Sequence, residues 1–169
     1  MAHTILVLGG ARSGKSRYAE ELAAAHEGAR VYIATARAGD EEMAMRITAH
    51  QARRGRAWAT VEEPLELVSA LRAAAEEGGF ILVDCITLWL SNLMMARRDM
   101  AAEVEDLCEA ARALPGRLCF VSNEVGLGIV PDNPMGRYFR DEAGFANQML
   151  AQAADEAIFM VSGLPMKLK

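Results

Sequence analysis

Short, unbroken runs of hydrophobic residues recur along the chain and alternate with longer segments of mixed polarity. Such runs are typical of strands in a parallel sheet, because neither face of a strand covered on both sides meets solvent. We therefore predict five strands, at residues 5–8, 31–34, 80–83, 118–121 and 157–161. Two weaker runs, at 58–61 and 166–168, predict short additional strands.

The segments between these runs have the spacing of helices. Acidic residues open the segment 41–54 and arginines close it, as the helix dipole favours. Pro64 stands where a first-turn proline would begin a helix, with Leu65, Val68 and Leu71 as its hydrophobic stripe. The predicted helices lie at residues 15–26, 41–54, 64–77, 88–98, 101–114 and 134–155.

Strands that alternate with helices predict an α/β fold, in which a mostly parallel sheet carries helices on both faces. The chain has 169 residues, of which 52% are hydrophobic and 24% charged, which is the composition of a globular protein. The sequence contains no internal repeat and no linker, so we predict a single domain over residues 1–169.

Charge and cysteine content narrow the classes of partner and location. A net charge of −5 argues against broad nucleic-acid binding, which needs a basic surface. The most hydrophobic stretch, 80–95, contains Asp84 and is shorter than the roughly 20 residues of a membrane span. The three cysteines of the chain are far apart in sequence, which predicts buried free thiols rather than a zinc site. We expect a cytoplasmic protein without a membrane span.

The first strand is followed by a complete phosphate-binding loop. The pattern G-x-x-x-x-G-K-S occupies the turn between a predicted strand and a predicted helix, which is the context that this motif requires. Its backbone N–H groups form an anion nest at the helix N-terminus, Lys15 reaches the phosphates, and Ser16 is a ligand for Mg²⁺. The loop consists of Gly9, Gly10, Ala11, Arg12, Ser13, Gly14, Lys15 and Ser16.

A second metal ligand is expected at the end of another buried strand, because the carboxyl ends of parallel strands meet at one edge of the sheet. Asp84 directly follows the run 80–83. An ordinary turn or N-cap aspartate is the alternative, but the phosphate loop upstream favours the metal role. Ser16 and Asp84 together predict a magnesium site in a P-loop NTPase (RecA-like) fold.

His50 is the one histidine with a distinctive setting. On the predicted helix 41–54 it shares a face with Arg46, Arg53 and Arg54. Neighbouring cations favour the neutral, nucleophilic imidazole, and the arginines could hold phosphate oxygens. The same position also continues a hydrophobic stripe, so a packed, non-catalytic histidine is the alternative from periodicity alone.

Several blocks of the sequence together resemble the adenosylcobinamide kinase/adenosylcobinamide-phosphate guanylyltransferase family of cobalamin biosynthesis. The similarity runs nearly end to end and is much more specific than the phosphate loop. The blocks are 9–16, YIATA at 32–36, the residues 42–43, 46–47 and 50, WATVE at 58–62, VDCITLWLSNL at 83–93, SNEVGLGIVP at 122–131, YFRD at 138–141 and VSGLP at 161–165.

The resemblance implies two activities, phosphorylation of adenosylcobinamide with ATP or GTP, and transfer of GMP from GTP to give adenosylcobinamide-GDP. It implies that His50 carries the GMP and that the enzyme is a homotrimer. Besides the phosphate loop, it assigns nucleotide contacts to Ala34, Thr35, Ala36, Gln51, Ala52, Arg53, Arg54, Glu62 and Asp84.

Two other functions stay open from the residues alone. One is a small-molecule kinase without guanylyl transfer, in which His50 is structural. The other is a nucleotide-dependent regulatory switch that turns over no corrinoid. The positions of Asn123 and Glu124 after a strand fit either the edge of the site or a simple loop. Arg137 and Arg140 fit either a basic lid or ordinary surface charge.

Overall fold

A computed structural model describes residues 2–36 and 58–169 of the chain. These two ranges contain seven strands and five helices. In chain order they are β1 (His3–Gly9), α1 (Lys15–Ala24), β2 (Arg30–Ala34), β3 (Ala59–Glu62), α2 (Leu67–Ala74), β4 (Phe80–Asp84), α3 (Ile86–Met95), α4 (Met100–Ala113), β5 (Arg117–Asn123), α5 (Pro134–Ala153), β6 (Glu156–Val161) and β7 (Leu164–Lys167).

The strands form one sheet in the order β3-β2-β4-β5-β1-β6-β7. Every neighbouring pair is parallel except β6 and β7, which form an antiparallel hairpin at the edge. The sheet is therefore mostly parallel, as the sequence predicts. The strand β5 lies between β1, which leads into the phosphate loop, and β4, which ends at Asp84.

Alternate side chains of the central strands enter two separate cores. On one face, Leu6 and Phe120 pack with helices α2 to α5. On the other face, Val7 and Val121 pack with α1. Helices thus cover both faces of the sheet, and the central strands are hydrophobic throughout because neither face is exposed.

The strand predictions are confirmed, with ends shifted by at most two residues. In α4, the residues of one helical face are buried, namely Val104, Leu107, Cys108 and Ala111. The prediction for Pro64 was wrong. Helix α2 begins only at Leu67, and its buried residues are Leu67 and Leu71. The predicted helix 41–54 lies outside the described residues.

The carboxyl ends of the six parallel strands form one edge of the sheet. Ala34 is level with Glu62 on one side and with Asp84 on the other, and Gly9 is level with Asn123. This edge therefore brings the phosphate loop close to the polar ends of β4 and β5. Within the described ranges, no helix is long and hydrophobic enough to cross a membrane.

Candidate active site

The phosphate loop has the backbone that its glycines allow. Gly9 has φ +154°, and a Cβ there would lie 2.6 Å from Ser13 Oγ and 2.7 Å from the carbonyl oxygen of Met160. Gly14 has φ +95° and forms the N-cap of α1. Since a side chain at Gly9 would collide and one at Gly14 would be strained, these glycines let the loop close against the helix N-terminus.

Lys15 is the first residue of α1 and is nearly buried. Its Nζ donates a hydrogen bond to the carbonyl oxygen of Gly10 at 2.5 Å and contacts Ser13 Oγ at 3.5 Å. Burial lowers the pKa of Lys15, and the negative charge of Asp84 opposes that shift. The ammonium group is thus folded back over the loop, where an anionic phosphate would take the place of solvent.

A cleft of about 630 Å³ lies beside the loop. The strands β4 and β5 supply one wall, and the phosphate loop supplies the other. Its lining includes Lys15, Ser16, Asp84, Cys85 and Asn123, with Glu124 at its rim. The cleft is large enough for a phosphate group to be bound next to Lys15.

Ser16 and Asp84 supply oxygen donors to this cleft. Mg²⁺ prefers such hard ligands and keeps several waters and phosphate oxygens in its shell, so two protein donors suit it. The described ranges contain no group of three or more His, Cys, Asp or Glu side chains that could hold a metal ion. Two oxygen donors beside a phosphate loop fit a magnesium ion that nucleotide phosphates would also bind.

The peptide bond between Asp84 and Cys85 is cis. The adjoining thiol is also buried, and burial raises the pKa of Cys85 to about 12. The thiol is therefore neutral at physiological pH and is a weak hydrogen-bond partner for its neighbours. All three cysteines are buried free thiols, as the sequence predicts.

Thr35, which follows β2, is fully buried. Its hydroxyl donates to the carbonyl oxygen of Cys85 at 2.7 Å and accepts from the Cys85 N–H at 3.0 Å. Asn92 on α3 also donates to the carbonyl oxygen of Thr35. The Thr35 hydroxyl therefore forms its hydrogen bonds within the protein. A nucleotide contact of this segment through Ala34 or Ala36 stays a prediction.

Glu62 ends β3 and is exposed. In register it lies two strands from Asp84, or about 10 Å at the usual spacing of strands. Its position at the same edge is compatible with a nucleotide contact, which stays a prediction. His50 and the residues 51–54 lie outside the described residues.

A buried polar network fixes the chain at the end of β5. Ser122 Oγ donates to Asn147 Oδ1 at 2.7 Å and lies 3.4 Å from Thr87 Oγ1. Thr87 Oγ1 accepts from the Asn123 N–H at 2.7 Å, and Asn147 Nδ2 donates to the Asn123 carbonyl oxygen at 3.2 Å. Both backbone polar groups of Asn123 are thus held by side chains that the sequence analysis did not single out.

The turn between β6 and β7 supports the other side of the phosphate loop. The Gly163 N–H donates to the Ser13 carbonyl oxygen at 2.9 Å. A Cβ on Gly14 would lie 3.2 Å from Gly163 Cα. The sequence analysis missed this contact, although the glycine after a predicted strand was a usable signal.

Two arginines that could have formed a basic lid are engaged locally. Arg137 donates to the carbonyl oxygen of Pro131 at 2.9 Å. Arg140 is paired with Asp141, its neighbour in sequence, at 2.7 Å. Neither guanidinium lines the cleft beside Lys15, so these contacts favour the surface alternative.

Comparisons with known proteins agree with this geometry. The model of the family described as "Cobinamide kinase / cobinamide phosphate guanyltransferase" matches residues 5–168. The chain is 52% identical to the bifunctional adenosylcobalamin biosynthesis protein CobP of Pseudomonas aeruginosa, over 97% of this chain and 96% of that protein. It is 39% identical to CobU of Escherichia coli and 42% identical to CobU of Salmonella typhimurium, both described as bifunctional adenosylcobalamin biosynthesis proteins, over 98% of this chain and 99% of each.

Proposed function

This chain belongs to the cobinamide kinase/cobinamide phosphate guanyltransferase family, and we propose that it performs both reactions on adenosylcobinamide. It first phosphorylates the aminopropanol hydroxyl with ATP or GTP. It then transfers GMP from GTP to the product, giving adenosylcobinamide-GDP and pyrophosphate. The observation that carries the proposal is the cleft in which Lys15, Ser16 and Asp84 stand together beside the phosphate loop.

In the kinase step, the substrate hydroxyl oxygen forms a bond to the γ-phosphorus. The bond from that phosphorus to the β–γ bridging oxygen breaks, the nucleoside diphosphate leaves, and the hydroxyl proton is released. Catalysis of this kind depends mainly on positioning and on charge neutralisation. The loop amides bind the phosphate oxygens, and the Lys15 ammonium stabilises their charge. A Mg²⁺ ion held by Ser16 and Asp84 would add further positive charge.

In the guanylyl transfer, His50 attacks the α-phosphorus of GTP and pyrophosphate leaves. A phosphate oxygen of adenosylcobinamide phosphate then displaces the histidine, which returns to its free form. Two displacements replace one difficult transfer between anions. The residues 51–54 and Glu62 would contact the nucleotide in this step, as the resemblance implies.

Labelling with GTP radioactive at the α-phosphate tests the second step. We expect label on the protein that is labile to acid and stable to base, as a phosphoramidate is. The variant His50→Ala should lose the label and keep adenosylcobinamide phosphorylation. The control His26→Ala should keep both, because His26 contacts Gly78 at the far end of the sheet.

The outcomes separate the alternatives. Phosphorylation of adenosylcobinamide without any label would indicate a kinase alone. A nucleotide response without turnover of the corrinoid would indicate a regulatory switch. Label that survives in His50→Ala would overturn the role of His50. Chelation of divalent metal should stop both transfers in the wild type.

We further propose a cytoplasmic homotrimer in which residues 1–169 form one domain. The segment after β5 supports a subunit contact, since Leu127 is 81% exposed and Ile129 is 99% exposed, with Val130 and Tyr138 also exposed. Such a concentration of hydrophobic surface is unusual for a monomer. Sedimentation equilibrium should give a molecular mass three times that of the 18.3 kDa chain. The variant Ile129→Asp should lower this mass towards that of a single chain. A monomeric wild type would contradict this arrangement.

A further inference from the structure

The end of β5 presents one polar side chain to the cleft for which neither the motif nor the resemblance gives a role. Side chains of β5 alternate between the two faces of the sheet. Phe120 lies in the core of α2 to α5, and Val121 lies in the core of α1. Ser122 continues toward α5, where it meets Asn147. The next side chain, that of Asn123, therefore turns to the face of α1, and it lines the cleft with Lys15.

The same alternation brings Asp84 to that face. Leu82 of β4 packs in the α1 core, and Asp84 is two residues further along the strand. Asp84 is level with Val121 on the neighbouring strand. Asn123 is thus one strand across from Asp84 and two residues higher, about 8 Å away at ordinary strand dimensions. This gap is comparable to the span of a metal ion with a phosphate group.

The phosphate loop lies on the other side of Asn123. Asn123 is level with Gly9, the first residue of the loop, on the adjacent strand. The Glu124 N–H donates to the Gly9 carbonyl oxygen at 3.0 Å. The Asn123 amide is therefore held between the loop that binds phosphates and the carboxylate that would bind their metal.

The amide is available for a ligand. Asn123 Nδ2 is 3.9 Å from Cys85 Sγ, and sulfur is a weak hydrogen-bond acceptor that a phosphate oxygen would readily replace. The backbone of Asn123 is held independently by Thr87 and Asn147. The side chain is therefore directed into the cleft by bonds that do not involve it.

We propose that the Asn123 side-chain amide donates a hydrogen bond to the γ-phosphate of the bound nucleotide and stabilises that group during transfer to the hydroxyl acceptor. This role rests on the proposed kinase function and adds a catalytic residue to it. A hydrogen bond to a charged group contributes about tenfold to a hundredfold in affinity. The backbone amides of a phosphate loop hold the β-phosphate, so we expect the Asn123 bond to add affinity for triphosphates and not for diphosphates.

Binding of nucleotides to Asn123→Ala tests the proposal without any corrinoid. We expect affinity for a non-hydrolysable GTP analogue to fall about tenfold or more, while affinity for GDP stays within about twofold of the wild type. Asn123→Asp should weaken binding of the analogue further, since a carboxylate repels the phosphate. Equal losses for GDP and the triphosphate analogue, or no loss for either, would overturn the proposal.

A merely structural role for Asn123 is distinguished by stability and by a neighbouring variant. Asn123→Ala keeps the backbone bonds to Thr87 and Asn147, so its unfolding midpoint should stay close to that of the wild type. Ser122→Ala removes a buried bond of the network and should lower stability and weaken both nucleotides alike. If Asn123→Ala behaves like Ser122→Ala, the side chain is structural and the proposal fails.

Turnover separates this proposal from the proposed function. With adenosylcobinamide and ATP, Asn123→Ala should lose kcat in the kinase step, and at saturating GTP it should keep the label from α-labelled GTP. Failure of the wild type to phosphorylate adenosylcobinamide would refute the proposed kinase function, whereas the binding comparison would still decide whether Asn123 contacts the γ-phosphate. A variant with normal kcat and an unchanged triphosphate affinity would refute the Asn123 proposal alone.

Discussion

Buried polar side chains fix the backbone where the strands of this sheet end. Thr35 lies one residue beyond β2, and Cys85 lies one residue beyond β4. The backbone ladder between the two strands stops there, and the Thr35 hydroxyl satisfies both the N–H and the carbonyl oxygen of Cys85. Because an unpaired buried polar group costs more than a typical hydrogen bond contributes, this one hydroxyl holds the segment that follows Asp84.

Replacing Thr35 by valine keeps the shape of the side chain and removes the hydroxyl. The buried Cys85 N–H then loses the Thr35 hydroxyl, while the Cys85 carbonyl oxygen keeps a bond from the Trp89 N–H at 3.2 Å. We therefore expect the free energy of unfolding to fall by about 1–3 kcal/mol. Urea denaturation measures the change. Thr60→Val on the exposed strand β3 is the matched control and should change stability by less than about 0.5 kcal/mol. A loss no greater than that control would contradict the role of Thr35.

At the scale of elements, α3 connects the sheet to two separate loops. Trp89 is fully buried, and its Nε1 donates to the Leu65 carbonyl oxygen at 2.9 Å. Asn92 Nδ2 donates to the carbonyl oxygens of Thr35 and Pro64 at 2.8 and 3.0 Å. The helix thus fixes both the chain after β2 and the chain before α2.

Sequence patterns predicted strands and most helices because their signal is local. A strand buried on both faces is hydrophobic at every position, and the residues of 80–83 show this directly. The start of α2 was mispredicted because Pro64 suits a first turn, whereas the chain there follows the contacts of Asn92 and Trp89. Those partners are 24 and 28 residues away in sequence, so periodicity carries no trace of them.

Asn92→Ala tests this connecting role. It removes two donors and leaves the carbonyl oxygen next to the buried Thr35 side chain without its partner, so stability should fall by about 1–3 kcal/mol. Chemical denaturation monitored by tryptophan fluorescence measures the change. Met95→Ala on the same helix alters an exposed side chain and should stay within about 0.5 kcal/mol of the wild type. Equal stability of the two variants would show that Asn92 does not hold the loops.

Over the whole molecule, the fold gathers at one edge residues that are distant in sequence. The phosphate loop could be predicted because its eight residues are contiguous, and Asp84 because it follows a hydrophobic strand. The network of Thr87, Ser122 and Asn147 could not, since it joins three elements separated by 25 to 35 residues. The role of His50 is implied by the resemblance and stays a prediction, since its spacing alone favoured a packed, non-catalytic histidine.

The same edge of the sheet holds a buried cation. Lys15 is 7% exposed, and burial lowers its pKa because the charged form is poorly solvated. A nucleotide phosphate would compensate that cost. We therefore expect the Lys15 ammonium to contribute to stability only when a nucleotide is bound, which is a common compromise between stability and function.

The variant Lys15→Met distinguishes the contribution of the ammonium group in the free protein from its contribution in the nucleotide-bound protein. Without ligand, its free energy of unfolding should equal or exceed that of the wild type, because the buried charge is gone. At 100 times the Kd of GTP with Mg²⁺, the wild type should gain about 2.7 kcal/mol, and the variant at the same concentration should gain far less. Lys167→Met, at the end of β7 remote from the cleft, should keep the full gain. An unliganded Lys15→Met protein less stable than the wild type by more than about 1 kcal/mol would show that Lys15 stabilises the fold itself.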